Sequence, residues 1–177
     1  MSSYDYTWKI LMLGDETTGK TALLNHYISG FVHVDITAKT GVDFYSKTTV
    51  YHGRKVKLHV WVFGDEERFQ FLMHQYCKGA DAALFLYNIT IPSSLDHLRD
   101  WNQIIREQAG NIPIMLVGTR AHLEEQRAVT KDQCIQAAQI HNPSGFIEVS
   151  SKTGQNVDHL FEAMIKILFN KELTKKH

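Results

Sequence analysis

Cysteine and proline are scarce in this chain, with two of the former and three of the latter among 177 residues. Cys77 and Cys134 fall in different expected elements and lack metal-ligand spacing, which excludes a disulfide scaffold and a zinc module. Both read as core fillers in a reducing compartment. Net charge is absent too: nineteen basic residues balance nineteen acidic ones, so no field draws the chain to nucleic acid or an anionic membrane. No apolar run approaches the roughly 20 residues that cross a bilayer. Met1-Ser2-Ser3-Tyr4-Asp5 has neither the basic start nor the apolar core of a secretory leader, and the default expectation is a cytoplasmic protein. The ten histidines form no His-x-x-Glu-His or i, i+4 metal set, and there are no repeats, low-complexity segments or linkers. At 44% hydrophobic and 21% charged, residues 1–177 fit one globular domain with a sizeable core.

What is present alternates between strand and helix patterns. The pattern predicts strands at 8–13, 45–51, 55–62, 82–88, 114–118 and 145–149, and helices at 20–29, 69–76, 93–108, 131–141 and 157–170. His52-Gly53-Arg54 joins the second and third strands as a hairpin. The expected fold is therefore α/β: a six-stranded, mostly parallel sheet with one antiparallel edge strand and helices on both faces, binding ligands beyond the strands' C-terminal ends. Between the first strand and first helix lies Gly14-Asp15-Glu16-Thr17-Thr18-Gly19-Lys20-Thr21, followed by Ala22. Gly-x4-Gly-Lys-Thr in that context is a phosphate-binding P-loop, whose backbone N–H groups point at a phosphate. Lys20 supplies a positive charge, and the Thr21 hydroxyl is the candidate magnesium ligand.

Further blocks resemble a family over nearly the whole chain. Gly41-Val42-Asp43-Phe44, Trp61 with Glu67-Arg68-Phe69, Tyr76-Cys77-Lys78-Gly79-Ala80, and Glu148-Val149-Ser150-Ser151-Lys152-Thr153-Gly154 follow one another as in the Rab-type small GTPases of the Ras superfamily. The resemblance implies a Ras-like three-layer fold, GTP or GDP with magnesium as cofactors, and a switch in trafficking or signalling. It also implies that Gly14, Glu16, Thr17, Thr18, Gly19, Lys20, Thr21 and Ala22 hold the phosphates. Thr119, Arg120, His122, Ser150, Ser151 and Lys152 then surround the base.

Four of the family's five nucleotide motifs depart from pattern. The switch I threonine falls on Lys39, with Thr37 and Thr40 nearby; Lys39 is either a fixed positive charge in the ion's place or a solvated lysine. The family's Asp-Thr-Ala-Gly-Gln becomes Val62-Phe63-Gly64-Asp65-Glu66, which removes a carboxylate behind the metal and puts Glu66 at the glutamine that orients water. Asn-Lys-x-Asp becomes Thr119-Arg120-Ala121-His122. The lost aspartate accepts two hydrogen bonds from guanine, and at about 1.5–3 kcal/mol each its loss removes roughly 3–6 kcal/mol of guanine preference. The ring that covers the base maps to Val32, beside Phe31, and Glu16 stands where the family keeps a small residue near the γ-phosphate. Hydrolysis is expected to be very slow or absent.

Phe44, Trp61 and Tyr76, by contrast, match the family's effector-binding aromatics. Three readings stay open: a nucleotide-binding Rab-like protein with little hydrolysis, a nucleotide-independent Rab-fold interaction module, and a disfavoured P-loop ATPase or kinase lacking a second-metal carboxylate. In the first two the partners are effector or scaffold proteins. The final residues Leu173-Thr174-Lys175-Lys176-His177 contain no prenylated cysteine, so membrane association is expected only through partners or through a tail absent here.

Overall fold

The computed structural model describes residues 3–28, 41–64 and 68–176. Its strands are β1 (Tyr6–Leu13), β2 (Val42–Tyr51), β3 (Arg54–Phe63), β4 (Ala82–Asn88), β5 (Ile114–Thr119) and β6 (Gly145–Glu148). The sheet order is β2-β3-β1-β4-β5-β6, with β2 and β3 antiparallel and the other neighbours parallel. The helices are α1 (Lys20–Ile28), α2 (Arg68–Tyr76), α3 (Leu98–Ala109), α4 (Lys131–Ala138) and α5 (Val157–Lys175).

Strands covered on both faces read as near-continuous apolar runs, and β1 and β4 are of this kind. Trp8, Ile10 and Met12 point to the face covered by α1 and α5, where Tyr27 and Phe161 stack with ring centroids 3.7 Å apart. Leu11 and Leu13 point to the other face, packing with Met73 of α2, Trp101 and Ile105 of α3, and Cys134 of α4. Both cysteines are buried and unpaired, and burial pushes their thiols up to about 11 for Cys77 and about 12 for Cys134. They are inert core residues, as the composition suggests.

The β2–β3 turn needs a left-handed backbone at His52 (φ 48°) and Gly53 (φ 74°), the two-residue geometry that keeps twisted strands in register. It holds Tyr51 opposite Arg54 and, at the other end, Asp43 opposite Val62 and Phe44 opposite Trp61. At the hairpin end, Tyr6 stacks on Trp8 at 5.2 Å, while Phe169 of α5 meets Tyr6 at 5.6 Å, Tyr51 at 5.4 Å and His52 at 5.9 Å.

Three helical expectations are corrected. The single helix expected at 93–108 is a 3-10 turn, Pro92–Leu95, followed by α3. The buried Ser94 hydroxyl donates to Ile91 O at 2.7 Å and accepts from Asn88 N at 2.9 Å, so a side chain takes over backbone partners and the helix restarts. Helix α4 opens on a capping box of Thr130 and Gln133 but stops at Ala138, where Gln139 turns left-handed. Helix α5 runs past residue 170 to Lys175. Among the described residues no helix is long and apolar enough to cross a membrane.

Candidate functional site

Two cavities open at the C-terminal ends of β1, β3 and β5. The first, about 410 Å³, is lined by Glu16, Lys20, Thr21, Asp43, Val62 and neighbouring residues. The second, about 240 Å³, is lined by Thr18, Gly19, Ala22, Thr119, Arg120, His122, Ser151 and Lys152. Gly19 and Ala22 line both, so the loop after β1 is their shared wall.

That loop is held by its own polar groups. Asp15 caps a 3-10 turn at Glu16–Thr18 by accepting from Thr17 N at 2.8 Å, and the Thr18 hydroxyl donates to Asp15 O at 2.7 Å. Gly19 then takes φ 70°, and a side chain there would project into open space rather than into protein. Gly14 is packed the opposite way: a Cβ on it would lie 2.6 Å from Thr18 Oγ1. Helix α1 opens at Lys20, and Thr21 and Ala22 of its first turn, whose amides lack intrahelical partners, line the cavity. Lys20 is buried, 8% exposed, and its ammonium folds back to donate to Gly14 O and, at 2.9 Å, to Asp15 O. A helix N-terminus with an ammonium beside it fits a phosphate.

The donor set for a magnesium ion consists of oxygens, as a hard dication requires. The Thr21 side chain lies near the Tyr45 phenol, and Thr21, exposed Glu16 and half-buried Asp43 line the same cavity. Val62 is apolar, but the residue directly across the strand pair from it is Asp43. Among the described residues no three His, Cys, Asp or Glu side chains cluster as a metal site by themselves.

The second cavity is framed by β5 and the loop after β6. The Thr119 hydroxyl donates to Tyr87 O at 3.1 Å. Arg120, left-handed at φ 63°, donates from Nε to Thr17 O at 3.2 Å and so ties the two walls together. His122 Nδ1 lies 2.8 Å from the hydroxyl of fully buried Ser150, which also accepts from Thr153 N at 3.2 Å.

Of the residues expected at the phosphate and base, Glu16, Thr18, Gly19, Lys20, Thr21, Ala22, Thr119, Arg120, His122, Ser151 and Lys152 line the cavities. Gly14, Thr17 and Ser150 stand behind them. Lys39, Thr37, Thr40, Phe31, Val32, Asp65, Glu66 and Glu67 lie outside the described residues. Sequence reasoning missed Asn88, whose Nδ2 donates to Thr17 O at 3.1 Å and whose Oδ1 accepts from Thr90 N and Oγ1. An amide immediately after the apolar run of β4 was the available signal. It also missed Asp15, Asp43 and Tyr45.

On the outer face of β2 and β3 the aromatics form a continuous row. Phe44 meets Trp61 edge-on at 5.2 Å, and Trp61 meets Tyr76 at 5.3 Å. His59 extends the row by stacking on Phe44 at 5.2 Å, and the Lys9 ammonium sits 4.5 Å from the Trp61 ring centre. Burial, and then the charge of Lys57, hold His59 below the ordinary histidine range, and its Nδ1 has no partner among the described residues.

Comparison with known proteins agrees with this geometry. The Ras family model matches residues 9–170. The chain is 38% identical over 168 residues to human "Ras-related protein Rab-37", covering 94% of this chain and 75% of that protein. It is 35% identical over 176 residues to bovine "Ras-related protein Rab-26", covering 98% and 66%. A third relative, the "GTP-binding protein ypt3" of Schizosaccharomyces pombe, is 34% identical over 167 residues, covering 94% and 78%.

Proposed function

The chain belongs to the Ras family as a Rab-like small GTP-binding protein, and from that premise we propose that it holds a nucleotide with little or no hydrolysis while engaging effector or scaffold proteins. The single observation carrying nucleotide binding is the loop of Gly14 to Lys20: a left-handed Gly19, the opening turn of α1 and a folded-back Lys20 ammonium at one cavity mouth. Lys20 neutralises phosphate oxygens and Thr21 offers an oxygen to magnesium. When bound, that ion would shield the charge between the terminal phosphates.

Weak or absent hydrolysis rests on charge and positioning. Phosphoryl transfer is accelerated almost wholly by positioning and by neutralising the transferring group. Here the Glu16 carboxylate lines the phosphate cavity, Val62 replaces a carboxylate behind the metal, and Glu66 replaces the water-orienting glutamine. The base cavity carries His122 where an aspartate would accept from guanine, so base preference is relaxed. Phe44, Trp61 and Tyr76 supply the partner surface, and association with endomembranes proceeds through partners from a cytoplasmic pool.

The alternative, a nucleotide-independent interaction module, is favoured by two carboxylates, Glu16 and Asp43, lining the cavity that must take up phosphates. Protein purified without added ligand, denatured, and assayed by chromatography separates the two. Bound nucleotide near one per chain supports the switch. Its absence, together with no binding in titration, leaves the interaction module.

A further inference from the structure

We infer that His122 presents a fixed N–H donor to the base cavity, so that the purine this site selects carries an acceptor oxygen at position 2, where guanine carries an amino donor, as a 2-oxopurine such as xanthine does. The inference rests on the nucleotide-binding reading above and adds which base edge fits.

The assignment follows from counting protons. The Ser150 hydroxyl is fully buried and already accepts the Thr153 N–H at 3.2 Å. It has one proton to donate, and among the described residues the acceptor hydrogen-bonded to it is His122 Nδ1, at 2.8 Å. A neutral imidazole accepting at Nδ1 carries its own proton on Nε2. Nε2 makes no hydrogen bond among the described residues, and the ring lines the 240 Å³ cavity.

The rest of that cavity holds no carboxylate to accept from a base. Thr119 gives its proton to Tyr87 O, and Arg120 is a donor at Thr17 O. The amides of Ser151 and Lys152 make no backbone hydrogen bond among the described residues. In the orientation that the family resemblance implies, they meet the purine 6-position.

Each base then scores differently. Guanine offers its 6-oxygen to the Ser151 and Lys152 amides but sets its own N–H groups against Nε2–H. Adenine offers its ring N1 to Nε2–H but sets its 6-amino group against the amides. Both make one match and one mismatch, which places their affinities within about tenfold of each other. Xanthine shares guanine's N1–H but carries an oxygen at position 2 in place of the amino group, so its oxygens at positions 6 and 2 match both donors. A donor left facing a donor in a confined site loses its hydrogen bond and keeps its desolvation cost.

Calorimetric titration of the full chain with XDP, GDP and ADP tests this. The expected result is XDP bound at least tenfold tighter than GDP or ADP, with His122→Asp reversing the order to favour GDP over XDP by at least tenfold. Ser150→Ala, which keeps the imidazole but removes the proton that fixes it, reduces the XDP advantage at least threefold. This second variant decides the matter if His122→Asp fails to fold by circular dichroism. Wild type binding GDP as tightly as XDP or tighter overturns the inference and leaves the nucleotide reading intact. Wild type binding none of the three diphosphates overturns the nucleotide reading and this inference with it. An XDP advantage that Ser150→Ala leaves unchanged overturns the tautomer assignment.

Discussion

Replacing Lys20 with alanine removes the group that the nucleotide reading depends on most. In the free protein its ammonium donates to Gly14 O and Asp15 O from an 8% exposed position. Deleting it takes a donor from these two carbonyls and opens the 410 Å³ cavity that Lys20 lines toward them, so the fold loses about 1–2 kcal/mol. For a domain of this size that is a fall in Tm of roughly 2–8 °C. The bound state loses more. Two charge-assisted hydrogen bonds to phosphate oxygens contribute about 1.5–3 kcal/mol each. Their sum, about 3–6 kcal/mol, weakens binding by roughly 10² to 10⁴-fold. Chromatography of the denatured extract reads retained nucleotide, and a thermal melt of the same sample reads the fold. The expected outcome is wild type carrying nucleotide and a folded Lys20→Ala carrying none. Equal retention by the two proteins would show that the loop does not hold the phosphates, whatever its geometry.

Glu66→Gln alone is expected to leave single-turnover phosphate release undetectable, because Glu16 and Val62 still line the phosphate cavity; measurable magnesium-dependent turnover in the unmodified protein refutes the account of slow hydrolysis. Phe161→Ala removes a ring stacked at 3.7 Å on Tyr27 in a fully buried position and should lower unfolding free energy by about 3–5 kcal/mol in urea titration; a loss under about 1 kcal/mol would mean that α5 is not packed as described. His59 is held below its ordinary 6.5 in the folded state, by burial first and Lys57 second, so below pH 6.5 the unfolded chain binds more protons than the folded one. Stability therefore falls as pH drops from 7 toward the folded-state value, and His59→Phe should show a shallower fall in urea titrations at pH 7.5 and 5.5. A steeper acid loss in the variant contradicts that sign.

The sheet was legible because its strands are covered on both faces and leave long apolar runs bounded by turn residues. Helix continuity through 93–108 was not legible, since Ser94 competes for backbone partners only after β4 has placed Asn88 beside it. The P-loop could be read from Gly14, Gly19 and Lys20 because the spacing itself encodes the backbone path. What the spacing does not encode is contact across the fold. Asp43 lies opposite Val62 only through strand register, Asn88 and Arg120 converge on Thr17 O from distant segments, and His122 meets Ser150 across 28 positions. Such pairings follow from topology rather than from local pattern. The aromatic row was readable at Phe44, Trp61 and Tyr76 through family likeness, whereas His59 joins it only by stacking on Phe44.

Helix α5 has a mechanical consequence. Its 19 residues form a strut about 28 Å long, with Asn156, which donates to Glu148 O beside the base loop, at one end. Near its other end Phe169 is wedged against Tyr6, Tyr51 and His52, with Trp8 stacked behind. A load applied at Lys175 meets these rings in shear and passes into the β2–β3 hairpin and the start of β1 before the strut can pull on the base loop. The domain is thereby insulated from tension at that end, and loosening the rings by Phe169→Ala would let the same pull reach Ser150 and His122.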